Sequence, residues 1–502
     1  MQFMELLAHL KAVAHAQERE IYLVGGCVRD GLLGRPLIDV DLAIAGDDAE
    51  GAVARALALR LNGAYVPLGE RFGTARVALP RDDGGVIQVD CTEFTGTLRD
   101  DLLRRDFTID AMAVDVADFG GAVAWAQADI IDPCNGRHDL ETGLLRLVSP
   151  DALDADPLRL LRAVRLAAEM GLTIDPKTQV EIRERARLLA AAAPERQRDE
   201  LCKILAAPGA AFWLLLMDDL GLLAVLLPEL VEGRGVEQPK EHHWDVFRHQ
   251  MEAVAAAEAM VERHLPVLLQ DREYLQPGLN HIPWHPGMEG YFDNEVGGLP
   301  RKVLLKLAAL LHDIGKPASK TFEPNGRMRF FGHAELGAEM VEKMLRRLRF
   351  SNQGIEAIAR MVDNHLRPGQ WSDTGMPTAR ALFRYFRDVG NVAVDTIYLN
   401  LADHLAARGP MFDEVRWQEH VAVANAALAY YFDQRLWHAA MPRLVTGNDL
   451  MEALHLQPGP VVGRLLAEVD EAAAVGAVAT KEEALILAVR WLAADETPSK
   501  CR

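Results

Sequence analysis

The chain has 502 residues, enough for about three domains at roughly 150 residues each, and needs no disulfide or metal to be stable. Half of it is hydrophobic and a quarter charged, which excludes bulk disorder, collagen-like repeats and a small secreted scaffold. Its net charge of −19 argues against general coating of nucleic acid, although residues 151–205 are locally neutral and rich in arginine, so a polyanion has a place to dock.

The first twenty residues carry charges throughout and lack a signal-peptide core. The most apolar runs, Phe212–Leu216 and Leu220–Leu227, are far too short to span a bilayer, so no membrane partner is expected. The five cysteines (Cys27, Cys91, Cys134, Cys202, Cys501) include no CxxC pair. They read as reduced thiols of a cytoplasmic protein.

In chain order, residues 1–20 read as a helix and IYLVGG (21–26) as a strand ending in a glycine turn. CVRDGLL then opens a helix. Strands follow at Asp39–Ala45, Tyr65–Pro67, Thr74–Leu79 and Val86–Cys91, with a helix at Ala49–Leu61. This is a mixed α/β domain ending near residue 150. Strand signals then nearly vanish. Apolar residues recur at helical spacing through 158–169, 178–192, 198–206 and 210–226. Residues 231–241 read as a linker, and a second helical block covers about 242–435, broken by a Pro/Gly-rich stretch at about 270–300. A last helical segment follows 442–450, and the tail ETPSKCR is expected to fray. The expected fold is α+β, an α/β head followed by all-α domains: 1–150, 151–235, 236–435 and a C-terminal helical tail, 436–502.

Four segments of the first half carry chemistry. In GGCVRD (25–30) followed by DVD (39–41), Asp39 and Asp41 stand at i and i+2 on a strand and so share a face. Two hard carboxylates there suit Mg²⁺ at a phosphate, with Asp90 a candidate third. The Gly25–Gly26 pair lets backbone N–H groups approach a triphosphate, and Arg29 adds a positive charge. Alone, DxD reads as a solvated strand end; the upstream GGxVRD reverses that. RRDFTIDAM (104–112) offers Arg105 and Asp106 to phosphate or ribose hydroxyls. DPCNGRHDL (132–140) reads as a turn with helix-start chemistry. In ADPLRLLRAVR (155–165), Asp156, Arg159, Arg162 and Arg165 recur every three residues and fall near one helical face.

Together, in this order and spacing, these segments resemble the class II tRNA nucleotidyltransferases, the CCA-adding enzymes. Bacterial poly(A) polymerases share the same DNA polymerase β-like head. The resemblance covers roughly residues 20–230, including PERQRDELCKIL (194–205) and LGLLAVLLPEL (220–230), which look like the family's neck and body helices. It implies that Asp39 and Asp41 are the catalytic, Mg²⁺-binding pair. By the same likeness Gly25, Gly26 and Arg29 contact nucleotide phosphates, and Arg105 and Asp106 the ribose and phosphates. Asp156 and Arg159, with Arg162 beside them, match the amino-acid template that pairs with CTP or ATP. The family's motif there usually reads EDxxR; Ala155 stands in place of the Glu, which leaves open whether C, A or both are added.

The second half holds spaced histidines and aspartates: His249, His312-Asp313, His333, His365 and Asp403. Imidazole with carboxylate suits a first-row transition metal, and an Asp beside a His can bridge two ions. A bound ion of this kind makes water nucleophilic near neutral pH, and Lys316 is placed to hold a phosphate. This series resembles the HD phosphohydrolase superfamily over about 242–410. His249, His312, Asp313 and Asp403 match its core ligands, and His333 and His365 the extra ligands of binuclear members. A nucleotidyltransferase head joined to an HD domain looks like the HD-containing bacterial CCA-adding enzymes, some of which hydrolyse 2′,3′-cyclic phosphates and phosphomonoesters. The resemblance implies Mg²⁺ in the head and Ni²⁺, Mn²⁺ or Co²⁺ in the HD block. The implied partners are the tRNA 3′ end, CTP and ATP, with no obligate protein partner. His242, His243, His281 and His285 fall outside the pattern and read as structural or loop residues.

Two alternatives stand beside the CCA-adding expectation. One is a poly(A) polymerase or an enzyme adding only CC or only A. The other is a metal phosphohydrolase with an RNA-binding head, which the intact DVD disfavours.

Overall fold

The computed structural model describes residues 3–46, 51–68, 74–81, 84–120, 125, 127–240, 242–435 and 443–495. The chain divides into two compact units. One comprises residues 1–204 and 216–226, the other residues 205–215 and 227–502.

The first unit is built on a six-stranded sheet. Helix α1 (Phe3–Gln17) leads into β1 (Ile21–Val24), α2 (Gly26–Leu32), β2 (Asp39–Ala45), α3 (Ala52–Leu61), β3 (Ala64–Pro67), β4 (Thr74–Pro80) and β5 (Val86–Phe94). After α4 (Leu98–Leu103), β6 (Ala113–Asp115) completes the sheet in the order β3-β4-β5-β2-β1-β6. Only β2 and β5 run parallel; every other pairing is antiparallel. Alternation in β4 and β5 buries Ala75, Val77, Leu79, Ile87, Val89 and Cys91 on one face, leaving Arg76 and Asp90 on the other. Leu6, Leu7 and Leu10 of α1 and Val53, Ala54 and Leu57 of α3 are buried as well.

The differences from the sequence reading are local. The glycine turn shortens the first strand to Val24, because Gly25 takes φ +70° and α2 starts at Gly26. β6 directly follows the RRDFTIDAM segment and has no counterpart in the sequence reading; three residues are too few for an alternating pattern to register. The periodic run 210–226 is two helices, Ala210–Asp219 and Leu222–Leu226, parted at Gly221 with φ +76°. The expected start of the helix at Ala49 and the tail ETPSKCR lie outside the described residues.

The ADPLRLLRAVR segment departs more. Asp156 is extended (φ −143°, ψ 101°) and separates α5 (Gly136–Glu141) and α6 (Asp151–Ala155) from α7 (Arg159–Met170). The cause is Pro157, whose ring disfavours helical backbone in the residue before it. Asp156 is therefore not on the arginine helix; its carboxylate accepts the Leu158 N–H at the helix start instead (3.1 Å). Arg165 is buried against Glu200 and Glu169, both at 2.6 Å, so the helix has no continuous solvated arginine face.

The second unit is helical. Helix Val246–Glu262 packs against Ala393–Ala407 and Arg301–Leu311, and Asn352–Asn364 packs on His333–Arg347. The 270–300 stretch folds as short 3-10 turns and a two-residue-strand hairpin, Glu295–Val296 with Leu299–Pro300. Helices Gly447–Leu454, Pro460–Ala474 and Lys481–Asp495 bury a core of their own around Leu450, Leu465, Val469 and Ala484. Buried Glu471 ties that block to helix Ala379–Val389 through Arg380 (2.9 Å) and Arg384 (2.7 Å). Among the described residues no helix is long and apolar enough to cross a membrane.

Candidate active sites

The sheet assembles the first site. Parallel pairing sets Asp41 beside Asp90 and Asp39 beside Gln88; antiparallel pairing sets Asp41 beside Val24, next to the Gly25 turn. Asp39 is exposed at the strand end and Asp41 half-buried. Both oxygens of Asp90 are engaged by Arg76, at 2.7 and 2.8 Å, so Asp39 and Asp41 are the pair whose oxygens the fold leaves to a cation. The Asp41 carboxyl is pushed up to about 6: burial is the main cause, Arg105 opposes it, and Asp90 and Asp110 add to it. This is a carboxylate short of positive charge, which fits the hard-oxygen chemistry of Mg²⁺.

Gly25 faces Asp41 closely. A Cβ there would lie 2.7 Å from Arg105 Nη1 and 3.4 Å from Asp41 Oδ2, so glycine leaves the space between arginine and carboxylate open. Arg105 is also held by Asp101 (3.3 Å). Arg29 is clamped between Asp30, at 2.9 and 3.0 Å, and Asp110, at 2.5 Å. Arg162 reaches Asp106 at 2.7 Å and Asp110 at 3.8 Å. Burial acts to lower the pKa of both guanidiniums, but their aspartates outweigh it and hold them firmly charged. Arg29, Asp106 and Arg162 thus belong to one network joined at Asp110, while Arg105 pairs with Asp101 and Gly26 lies against the Arg29 guanidinium, where a Cβ would sit 3.3 Å from Nη2. The network's hub, Asp110, lies in the RRDFTIDAM segment, where the sequence reading singles out only Arg105 and Asp106, because a buried-looking run gives no sign of which arginines an acid will meet.

Asp156 and Arg159 are held by the neck itself. Asp156 pairs with Arg196 (2.8 Å), and Arg159 Nη1 donates to the Ala152 carbonyl (3.0 Å).

The second site lies in the helical unit. His249 comes from helix Val246–Glu262, His312-Asp313 from the end of Arg301–Leu311, and His333 opens its own helix. His365 and Asp403 come from the two helices packed alongside. His249 Nε2 lies 3.2 Å from His312 Nε2, 3.4 Å from Asp313 Oδ2 and 3.0 Å from Asp403 Oδ1. On the other side of Asp313, His333 Nε2 and His365 Nε2 stand 3.5 and 3.8 Å from Oδ1. One carboxylate thus faces two imidazole sets.

Three imidazoles are oriented by the backbone three residues before them: Nδ1 of His312, His333 and His365 contacts the carbonyls of Ala309, Phe330 and Val362 at 2.6–2.8 Å. That leaves each Nε2 pointing inward as a lone-pair donor, the arrangement metal-bound histidines use. Asp313 Oδ1, His333 Nε2 and His365 Nε2 are buried with no hydrogen-bond partner among the described residues. Orphaned buried polar atoms are costly, and here they converge, so the residues fit a metal centre. His312 is pushed up to about 10; burial opposes, but Asp313 and Asp403 prevail, so the carboxylates demand positive charge here. Burial lowers His365 to about 4 and also lowers His249 and His333, favouring neutral, ligating rings.

Two placements differ from expectation. Lys316 is buried, with its ammonium on Asp313 Oδ2 (2.6 Å) and Gln238 Oε1 (2.7 Å), so at most one of its three donors remains for a phosphate. His242, read as a loop residue, joins His249 and Asp403 in a group whose ligand atoms all lie within 4.8 Å. Its ring meets His249 edge-on at 5.3 Å, its Nδ1 has no hydrogen-bond partner among the described residues, and burial, then Lys316, lowers it to about 3. It precedes the helix and its Asp245 cap, where no periodicity could mark it.

Residues 21–146 match the family model for a poly A polymerase head domain, 171–233 that for an RNA and SrmB binding site of polymerase A, 289–408 the HD domain, and 409–489 a tRNA nucleotidyltransferase domain 2. An A-adding tRNA nucleotidyltransferase of Deinococcus radiodurans is 36% identical over 95% of this chain and 96% of its own. The chain belongs to the tRNA nucleotidyltransferase family. A CC-adding tRNA nucleotidyltransferase of Thermus thermophilus is 33% identical over 94% of both chains. A multifunctional CCA protein of Pseudomonas fluorescens is 33% identical over 66% of this chain and 70% of its own. The same fold occurs in the Thermotoga maritima CCA-adding enzyme complexed with tRNA (20% identity, TM-score 0.59, 97% and 95% covered). It occurs also in the Bacillus stearothermophilus CCA-adding enzyme in complex with CTP (22%, TM-score 0.59, 98% of each chain). This nucleotidyltransferase therefore combines the expected α/β head and helical body with an HD domain.

Proposed function

We propose that this enzyme completes the 3′ end of tRNA by adding C and A from CTP and ATP. The observation that carries the reading is Asp41, on the same strand face as Asp39, meeting Gly25 and Arg105 across a space that a Cβ on Gly25 would enter. Mg²⁺ held by the two carboxylates would supply positive charge for the triphosphate and for the attacking 3′-hydroxyl. Around it Gly25 and Gly26 let the phosphates approach the backbone. Arg29, Arg105 and Arg162, fixed by Asp30, Asp101, Asp106 and Asp110, present charge without having to reorganise. Asp156 and Arg159 are assigned to base selection. In this reading residues 1–150 are the catalytic head, 151–235 the neck and body, 236–435 the HD domain and 436–502 a C-terminal helical segment.

The test offers tRNAs ending before or after CC with CTP, ATP or both, and sequences the products. Full CCA ends are expected. A second reading, addition of A alone or of CC alone, is favoured by one observation: A-adding and CC-adding relatives match 94–95% of this chain, whereas the Pseudomonas CCA protein matches 66%. Extension confined to one nucleotide would establish it.

For the HD site we propose hydrolysis of 2′,3′-cyclic phosphates and phosphomonoesters, with Ni²⁺, Mn²⁺ or Co²⁺ held by His249, His312, Asp313, His333, His365 and Asp403, and His242 at its edge. The convergent orphaned atoms support this. The ion would supply an activated water; Asp313 and the backbone-oriented rings hold the ligand geometry, and Lys316 fixes Asp313.

A further inference from the structure

The segment joining Lys316 to His333 is a hairpin rooted at both ends in the HD cluster. Lys316 contacts Asp313, and His333, at the far end, faces the same carboxylate. Between them strands Thr321–Phe322 and Met328–Arg329 pair antiparallel around the turn at Pro324–Gly326. Its side chains are unlike those of the surrounding surface. Phe322 is 65% exposed and Phe331 72%. Each ring carries a cation: Lys320 Nζ lies 5.8 Å from the Phe322 centroid, and the Arg329 guanidinium 5.7 Å from that of Phe331. Lys316 is spent on Asp313 and Glu323 on Arg329 (3.2 Å), so Lys320 and exposed Arg327 are the uncompensated charges of the hairpin, in a chain whose net charge is −19. Inside the hairpin, Lys316 Nζ lies 5.7 Å from the Phe330 ring, and the Phe330 carbonyl orients His333, so the aromatic strand and the cluster are directly joined.

Exposed rings bearing cations, in a locally basic segment of an acidic protein, match a ligand with a flat π-face and a phosphate. We infer that this hairpin recognises the nucleobase of a phosphorylated nucleoside, whether a free nucleotide or an RNA terminus, while its phosphate reaches the Asp313 cluster. The inference rests on the phosphohydrolase reading above and names its substrate class. Phe322 and Phe331 are the specificity-determining residues, and neither is part of the metal cluster.

Truncating two exposed rings removes no core, so F322A/F331A is expected to stay folded. The holoenzyme and this variant are compared on adenosine 2′,3′-cyclic phosphate, a short RNA ending in a 2′,3′-cyclic phosphate, and ribose 5-phosphate, which has no base. Expected is a KM about ten-fold higher for whichever base-bearing substrate the enzyme uses, the scale of losing one base-stacking contact. KM for ribose 5-phosphate and kcat should not change, and F322W/F331W should restore KM. The first two substrates separate free nucleotide from RNA end. An unchanged KM for both, or an equal rise for ribose 5-phosphate, would overturn the inference. A second measurement does not depend on turnover: photo-crosslinking with 8-azidoadenosine 2′,3′-cyclic phosphate under saturating CTP, mapped by peptide mass spectrometry. Label within 320–331 supports the hairpin; label confined elsewhere refutes it. If no substrate is turned over, the phosphohydrolase reading fails and the crosslink alone decides the hairpin.

Discussion

The two sites solve the problem of gathering charge in opposite ways. In the head, carboxylates gather on the sheet and on the loop before its last strand, and most are met by a partner: Asp90 by Arg76, Asp110 by Arg29, Asp106 by Arg162. Asp39 and Asp41 have no ion-pair partner among the described residues. In the HD domain the groups are buried among helices, and several of their buried atoms have no hydrogen-bond partner among the described residues. The head is thus preorganised by ion pairs, an arrangement suited to a substrate carrying its own phosphates. In the HD cluster backbone carbonyls turn three imidazoles inward, and the residues fit a metal centre. Removing one group should therefore act differently in the two places.

The largest effect belongs to Asp41. Asp41→Ala should cut nucleotide addition by at least 10²–10³-fold, the scale of losing one preorganised transition-state stabiliser. The sheet should survive, since Asp41 lies on its half-buried face and its backbone pairing with Asp90 and Val24 is untouched. Incorporation of labelled ATP and CTP into tRNA, with circular dichroism as control, checks this. Near-normal extension would remove the carboxylate assignment.

Asp313→Ala should do the reverse. Asp313 faces both imidazole sets, so the variant should lose bound transition metal, read by elemental analysis, together with phosphodiesterase activity. Nucleotide addition should be unchanged, because no HD ligand belongs to the head network. Losing addition in a folded Asp313→Ala protein would show that the two sites depend on each other.

His242 sharpens the contrast by a smaller step. His242→Gln should weaken metal affinity by about 10–100-fold, the range seen when groups supporting a metal's ligands are removed. Titration calorimetry with Mn²⁺ on the apo protein measures this. An unchanged affinity would return His242 to a packing role against His249.

How legible each site was in the sequence follows from the same contrast. DVD after GGxVRD could be read because the strand period of two places Asp39 and Asp41 on one face without tertiary information. The partners Asp110 and Arg76 could not, because strand register alone brings Arg76 opposite Asp90. The histidines were legible as a series. That Asp313 separates two sets, and that His242 joins one of them, depends on how helices pack and on a residue lying just outside a helix. The fold was legible wherever period and length agreed; it failed at three-residue β6 and at Pro157, where one ring outweighed a strong helical pattern.

The smallest expected effect tests that same break. Asp156 and Arg159 lie on either side of Pro157, and each is tethered, Asp156 to Arg196 and the Leu158 N–H, Arg159 to the Ala152 carbonyl. Two roles fit such tethering. If the tethers hold the pair rigid for an incoming base, Arg159→Ala should change the ratio of C to A incorporation by the equivalent of about 1–3 kcal/mol, by analogy with bidentate base contacts. If Arg159 only satisfies the last carbonyls of α6, the variant should lose about 1 kcal/mol of stability, a typical hydrogen-bond contribution. Its nucleotide ratio would then stay fixed. Competition between CTP and ATP on one tRNA, run beside a thermal melt, separates the two outcomes. Because the guanidinium is half-buried and its known partner is a single carbonyl, part of its donor fork remains for a base. A change in ratio, with only the small fall in melting temperature that losing the carbonyl hydrogen bond brings, is the expected result.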